Sequence, residues 1–242
     1  MNLIVDIGNS FIKVAVVEQD EMLTLRRYQS VEKFAASNIV AEFPLLRRAI
    51  VASTAIPTEA VAQLLRGWGL WVLEMTQQTA VPIGNDYLTP ETLGVDRLAA
   101  AVGAVSQVGK SCLIVDFGSA ITIDLVEDGV FRGGNISPGV EMRLRALHDY
   151  TERLPKCEPT DEILELGLTT RQAIEQGVMQ GITNEIEGYI SYFYAKNVKL
   201  SLIFTGGGAK YFVKRIKNAI FAKYDLVICG LNRILEYNAS AE

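Results

Sequence analysis

Two short stretches of this chain put an aspartate just ahead of a glycine turn. Asp6-Ile7-Gly8-Asn9-Ser10 and Asp116-Phe117-Gly118-Ser119-Ala120 both read D-x-G-x-[SA] and start 110 residues apart. A glycine-bearing turn lets backbone N–H groups approach a phosphate with no side chain in the way, and its partial positive charge complements the oxyanions. An Asp ending each strand suits a cation, held directly or through water, that neutralises phosphate charge. Lys13 lies on the returning segment and has the reach to meet a phosphoryl oxygen as a point charge. A third glycine run, Thr205-Gly206-Gly207-Gly208, falls between a strand pattern and a helix pattern. There glycine permits close passage of a base or ribose, and a helix N-terminus favours anions. Either hairpin alone also reads as an ordinary turn with a capping Asp. The pair followed by the glycine run points to phosphate binding.

Gly94-Val95-Asp96-Arg97 sets an acid beside a guanidinium where an Ala-rich helix begins. Asp at a helix N-terminus is favoured as a cap. The chemical reading is that Asp96 accepts or orients the proton of an attacking hydroxyl while Arg97 holds an anionic group of the acceptor. Phosphoryl transfer is accelerated mainly by positioning and charge neutralisation, so a carboxylate suffices for that role. Gly109-Lys110-Ser111 resembles the end of a P-loop, but Ala104 stands where its first glycine belongs and the tripeptide precedes a strand. His148 is the sole histidine, in a helix-like stretch with Arg143 and Arg145, and reads as a surface residue.

The elements that must position these groups follow from hydrophobic period and turn residues. Leu3-Ile4-Val5 reads as a buried strand and Phe11 to Val17 as its antiparallel return. Helical spacing covers Ser30 to Glu42 and Pro57 to Trp68, with strands at Ala49 to Ser53 and Leu70 to Leu73. A helix from Glu91 to Val108 ends near Gly109. Leu113 to Asp116 and Ile121 to Val126 then repeat the opening hairpin, followed by a strand from Val130 to Gly133 and a helix from about Val140 to Tyr150. From Thr170 to Lys196, Ile174, Val178, Ile182, Ile186, Ile190 and Tyr194 recur every four residues. Gly177 and Gly181 within that helix predict close approach of another element, since each costs about 1 kcal/mol against Ala. Strand Leu200 to Phe204, a helix to about Phe221, a strand near Leu226 and a last helix from Leu231 complete the pattern. The expectation is an α/β chain of two related lobes, 1–110 and 111–242, with their hairpins facing each other across a cleft.

The 242 residues, 49% apolar and 21% charged, are enough to bury a sizeable core, which excludes disordered and fibrous classes. Twenty-three Lys+Arg against 28 Asp+Glu, with no basic block, argue against nucleic acid as a partner. Cys112, Cys157 and Cys229 have no CxxC spacing, so neither a disulfide framework nor a zinc site is expected and a reducing cytoplasmic setting fits. The opening residues lack a basic targeting segment, and no apolar run approaches the ~20 residues that span a bilayer.

The ordered motifs together resemble the type III pantothenate kinases, within the acetate-kinase, sugar-kinase, Hsc70 and actin superfamily. The resemblance covers nearly the whole chain. It rests on residues 6–13, with Ser10 where Thr is common, and on Tyr87-x-x-Pro90-x-x-Leu93-Gly94-Val95-Asp96-Arg97. It rests also on Asp116 to Thr122, with Ser119 for the usual Thr, on Gly133-Gly134-x-Ile136-x-Pro138-Gly139, on Leu154-Pro155, on Thr170 and on Thr205-Gly206-Gly207-Gly208. The resemblance implies a two-lobed actin-like, ribonuclease H-like ATPase fold with duplicated mixed sheets flanked by helices. It implies transfer of the ATP γ-phosphoryl to pantothenate, the first step toward coenzyme A. Asp96 would be the proton acceptor, and Tyr87, Gly94, Val95, Arg97 and Thr170 would line the acceptor site. ATP would lie on Asp6, Ile7, Gly8, Asn9, Ser10, Phe11, Ile12, Lys13, Ser119, Gly206, Gly207 and Gly208. Asp116 would bind a monovalent cation, K⁺ or NH₄⁺, beside the Mg²⁺ that accompanies ATP. A homodimer with the glycine-bearing helix after Thr170 near its interface is implied as well. The alternatives are a kinase of another small hydroxyl substrate, against which the Tyr87 to Arg97 block speaks, and a non-catalytic actin-like regulatory protein that binds a nucleotide.

Overall fold

A computed structural model describes residues 1–196, 199–217, 220–221 and 225–239. The chain opens with strands β1 (Asn2–Ile7), β2 (Ile12–Glu18) and β3 (Glu21–Tyr28), then short helices α1 (Val31–Ala35) and α2 (Ile39–Glu42). Strand β4 (Arg48–Ser53), helix α3 (Glu59–Gly67), strands β5 (Trp71–Glu74) and β6 (Gly84–Asn85) and helix α4 (Val95–Val108) follow. Next come β7 (Cys112–Phe117), β8 (Ala120–Glu127), β9 (Val130–Pro138), α5 (Val140–Asp149), α6 (Thr170–Tyr194), β10 (Ser201–Thr205), β11 (Ile220–Phe221) and α7 (Leu226–Ala239).

The same strand order occurs twice. In the first sheet it is β3-β2-β1-β4-β5, with β2 antiparallel to β1 and β3, and with β4 and β5 parallel to β1. In the second, β9-β8-β7-β10-β11 repeats that order and β6 adds a sixth strand beside β9, with β10 parallel to β7, β11 parallel to β10 and β6 parallel to β9. Each central strand is apolar on both faces, as Leu3-Ile4-Val5 and Leu113-Ile114-Val115 are, because helices cover both sides of such a strand. The two aspartates occupy equivalent places: Asp6 is the fifth residue of β1 and Asp116 the fifth of β7. Ligands of open α/β sheets gather at the carboxyl ends of the strands, where both stand.

By its contacts the chain divides into two compact units, and the division differs from the sequence reading. The first takes residues 1–110, 126–132 and the described residues 225–239; the second takes 111–125, 133–196, 199–217 and 220–221. The whole of α7, counted with the second lobe from sequence, therefore lies in the first unit. The cause is backbone contact between α4 and α7, where a Cβ on Gly230 would overlap the Ala99 carbonyl and one on Gly103 would overlap that of Leu226. Asn2 Nδ2 donates to Asn232 Oδ1 at 2.8 Å, fastening α7 to β1 as well.

In the second unit, Ile174, Val178, Ile182 and Ile186 of α6 join Leu113, Val115 and Phe117 of β7 in one core, as their four-residue spacing predicts. Gly177 and Gly181 on that helix do not meet the expected neighbour, since a Cβ at either would find nothing within 4 Å. Other departures are local. The helix expected over residues 30–42 is split into α1 and α2, and strand β3, whose exposure alternates along Glu21–Tyr28, was not foreseen. The helix expected from Glu91 starts at Val95, after a single 3₁₀ turn at Pro90–Thr92. Beyond Gly208 the expected helix is a 3₁₀ turn, Ala209–Tyr211, followed by turns; its residues 218 and 219 lie outside the described ones. The strand expected near Leu226 is the first turn of α7. Its Leu-Val-Ile run favours a strand by propensity, but packing on α4 decides the outcome.

The α4–α7 contact yields a stability prediction. Gly230→Ala gains up to about 1 kcal/mol of helix propensity but forces the two backbones apart, an overpacking cost of roughly 1–3 kcal/mol or more. The melting temperature should therefore fall by several degrees, as scanning calorimetry would show; an unchanged or raised value would contradict the contact.

Candidate functional site

In the first unit the site grows out of the β1–β2 hairpin. Asp6 and Lys13 are directly opposed in the antiparallel register, so their side chains leave the sheet on one face. The turn between them is closed by Gly8 N donating to the Phe11 carbonyl at 3.1 Å. Gly8 is half-buried, and Asn9, Ser10 and Phe11 are exposed beyond it. Lys13 Nζ lies 3.6 Å from Asp6 Oδ2 and 2.6 Å from Asp225 Oδ2. Burial pushes the Asp6 carboxyl up from 3.8 to about 6; Lys13 opposes that rise, while the carboxylates of Asp225 and Asp96 add to it. Asp96, on the first turn of α4, is thus one of the charges that Asp6 feels.

Asp96 is fixed by its place in the first turn of α4. Its Oδ1 accepts from the Arg97 N–H at 2.8 Å. Gly94 caps the helix with extended backbone, φ −56° and ψ 126°, and a Cβ there would come to 2.5 Å from that same oxygen. Glycine is therefore the residue that leaves Asp96 this position. Val95 is buried beneath the turn, and Arg97 is only 7% exposed. The Arg97 guanidinium carbon stands 5.6 Å from the ring centroid of Tyr87 and 5.7 Å from that of Phe131. Those rings are 6.1 Å apart and tilted 57° to each other, so the guanidinium sits against both, and contact with aromatic surface partly desolvates it, which strengthens its attraction to an anion. A shallow, open depression of about 450 Å³ adjoins Gly94, lined by residues 53–57, Gln77, Thr92 and Leu93. The structure thus brings together Tyr87, Gly94, Val95, Asp96 and Arg97.

The second unit carries its own constellation. Thr205 pairs with Asp116 in the parallel register of β10 and β7. The chain then turns at Gly206, with φ +89°, and a Cβ there would overlap Asp116 Oδ1. Gly208 N donates to the Phe117 carbonyl at 2.9 Å, and Gly139 N, at the start of α5, donates to the Ser119 carbonyl at 3.1 Å. Asp116, Ser119 and Gly206 to Gly208 are therefore one packed group of backbone turns. Thr170 is the exposed first residue of α6; Thr169 caps that helix by accepting from Gln172 N. His148 is exposed, its Nδ1 at 2.9 Å from the Leu154 carbonyl. No group of three or more His, Cys, Asp or Glu is arranged to hold a metal ion among the described residues.

Sequence reasoning missed Asp225, Phe131 and the loop at 53–57. Asp225 had a legible signal, an Asp directly before an apolar run, which marks a helix start. The contacts of Phe131 and of the 53–57 loop are long-range and leave no local pattern.

The model of the type III pantothenate kinase family matches residues 2–192. The chain belongs to the type III pantothenate kinase family. A type III pantothenate kinase of Bacteroides fragilis YCH46 is 42% identical over 240 residues, covering 98% of each chain. Another, from Porphyromonas gingivalis W83, is 41% identical over 242 residues, again covering 98% of both. Among solved structures, a Campylobacter jejuni protein assigned to the Baf family of transcriptional activators superposes with TM-score 0.64 at 21% identity, covering 98% of this chain and 99% of that one. MreB5 of Spiroplasma citri bound to ADP gives 0.50 at 11% identity, covering 98% and 96%. At those identities the likeness is one of fold, and it fits a duplicated actin-like ATPase architecture for this pantothenate kinase family member.

The buried Asp6 makes a pH prediction. The folded chain keeps the Asp6 proton up to about pH 6, whereas an unfolded aspartate loses it near 3.8. This group's contribution to stability is therefore complete below pH 3.8, declines as pH rises toward 6, and is lost above it. Asp6→Asn, which cannot ionise, should raise stability at pH 7 by roughly 1–3 kcal/mol and flatten that decline. Melting curves from pH 3.5 to 7 test this; an identical pH dependence in the variant would refute it.

Proposed function

We propose the division of labour by which this family member phosphorylates pantothenate with ATP. Asp96 takes the proton of the primary hydroxyl as the γ-phosphoryl leaves ATP, and Arg97 holds an anionic group of pantothenate. Tyr87, Gly94, Val95 and Thr170 complete the acceptor site. The observation that carries this reading is the Asp96 carboxylate pinned by the Arg97 N–H in the first turn of α4, beside a guanidinium held against two rings. Phosphoryl transfer needs a positioned acceptor and neutralised charge more than a strong base.

ATP is held by the turn of residues 6–13 in the first unit and by Ser119 and Gly206 to Gly208 in the second. Lys13 meets a phosphoryl oxygen. Three carboxylates, Asp6, Asp96 and Asp225, share this neighbourhood with Lys13. A bare triphosphate would be repelled there, which fits entry of the nucleotide as its Mg²⁺ complex, a cation commonly held by one or two carboxylates and substrate phosphates. Asp116 supplies a hard oxygen ligand against the bare backbone of Gly206, a donor suited to K⁺ or NH₄⁺. When bound, that cation would offset phosphate charge. The enzyme acts as a cytoplasmic homodimer, in which the exposed glycine face of α6 approaches the second copy. No described helix is long and apolar enough to cross a membrane.

Asp96→Asn should lower turnover by on the order of 10² to 10⁴ while nucleotide affinity, followed by calorimetry, survives; unchanged turnover would remove Asp96 from the mechanism. A second expectation concerns Asp116. Phosphopantothenate formation should rise severalfold when Na⁺ is exchanged for K⁺ or NH₄⁺, and Asp116→Asn should abolish that response. Equal rates in all three cations would dismiss the assignment.

A further inference from the structure

Asp225 belongs to none of the phosphate or acceptor motifs, yet its Oδ2 lies 2.6 Å from Lys13 Nζ. Its other oxygen is committed as well: Oδ1 accepts from Val227 N at 3.1 Å, and its main-chain carbonyl accepts from Cys229 N at 3.1 Å. One carboxylate therefore caps α7 and grips the hairpin lysine. The helix it caps cannot drift, because Gly230 lies against the Ala99 backbone of α4 and Asn232 is bonded to Asn2 of β1. Asp225 and Lys13 are both largely buried, with side chains 15% and 28% exposed.

We propose that Asp225 is a positioning residue for phosphoryl transfer, acting through Lys13: it holds the lysine extended beside Asp6 so that the ammonium is already aimed when the nucleotide arrives. This rests on the reading that residues 6–13 take the ATP phosphates. Lysine carries one of the largest side-chain entropies, and a contact that must first order it loses affinity. With Asp225 in place that ordering is completed on folding.

Asp225→Asn isolates this role from helix capping. Asn caps helices about as well as Asp and keeps the oxygen that accepts from Val227 N, but it has no charge to hold Lys13. The expected result is a KM for ATP raised on the order of tenfold, with kcat changed less than threefold and the melting temperature within a few degrees of the parent. Lys13→Met should raise KM for ATP at least as much. In the Lys13→Met background, Asp225→Asn should add little, because a residue acting through another has no effect once that partner is gone. An unchanged or lowered KM in Asp225→Asn, with Lys13→Met impaired, overturns the proposal alone. So does an Asp225→Asn effect of equal size in both backgrounds, which would mark a general structural role. If Lys13→Met itself leaves KM for ATP unchanged, the assignment of the hairpin to ATP fails first.

Discussion

The Asp6 carboxylate is buried at the end of a central strand, where a charge is costly, and Lys13 directly across the ladder is what makes that burial tolerable. Lys13 is in turn held by Asp225, which starts the last helix. A single cation thus ties the first hairpin of the chain to its final helix. Without it the Asp6 and Asp225 carboxylates would repel each other with no cation between them. The energetic compromise leaves Asp6 titrating near pH 6, a group still unsettled in its charge and therefore responsive to what binds beside it.

Duplication explains why such a group stands where it does. The strand order of the first sheet recurs in the second, and each central strand ends in an aspartate followed by a turn. The two copies differ in what surrounds the aspartate. In the first, Asp6 is countered by a lysine and senses the carboxylate of Asp96. In the second, Asp116 is overlaid by the backbone of Gly206, so that main-chain atoms crowd around it. Glycine does a different job at each of these places. Gly94 leaves room for a carboxylate oxygen, Gly206 supplies a positive φ as well as room, and Gly103 with Gly230 lets two helices touch.

Much of this was legible in the residues themselves. Apolar runs predicted the central strands, the repeated Asp-x-Gly predicted equivalent hairpins, and the four-residue spacing on α6 predicted its buried face. What was not legible depends on tertiary contact. Leu226-Val227-Ile228 reads as a strand by composition and becomes helix because Asp225 caps it and α4 receives it. Gly177 and Gly181 face open space within this chain, whereas Gly103 and Gly230, less conspicuous in sequence, carry the α4–α7 contact. Asp225 was overlooked because its partner is 212 positions away. The Phe131 ring beside Arg97 was overlooked for the same reason.

The account depends on Asp6 being a buried carboxylate restrained by Lys13, and the most direct measurement is its own titration. Carbon-13 NMR of the Asp6 carboxyl carbon, followed from pH 3 to 8 in the free protein, should show an inflection near pH 6, and a higher one when Lys13 is replaced by Met. An inflection near pH 4 in both proteins would mean that Asp6 is neither desolvated nor coupled to the lysine, and would contradict the arrangement described.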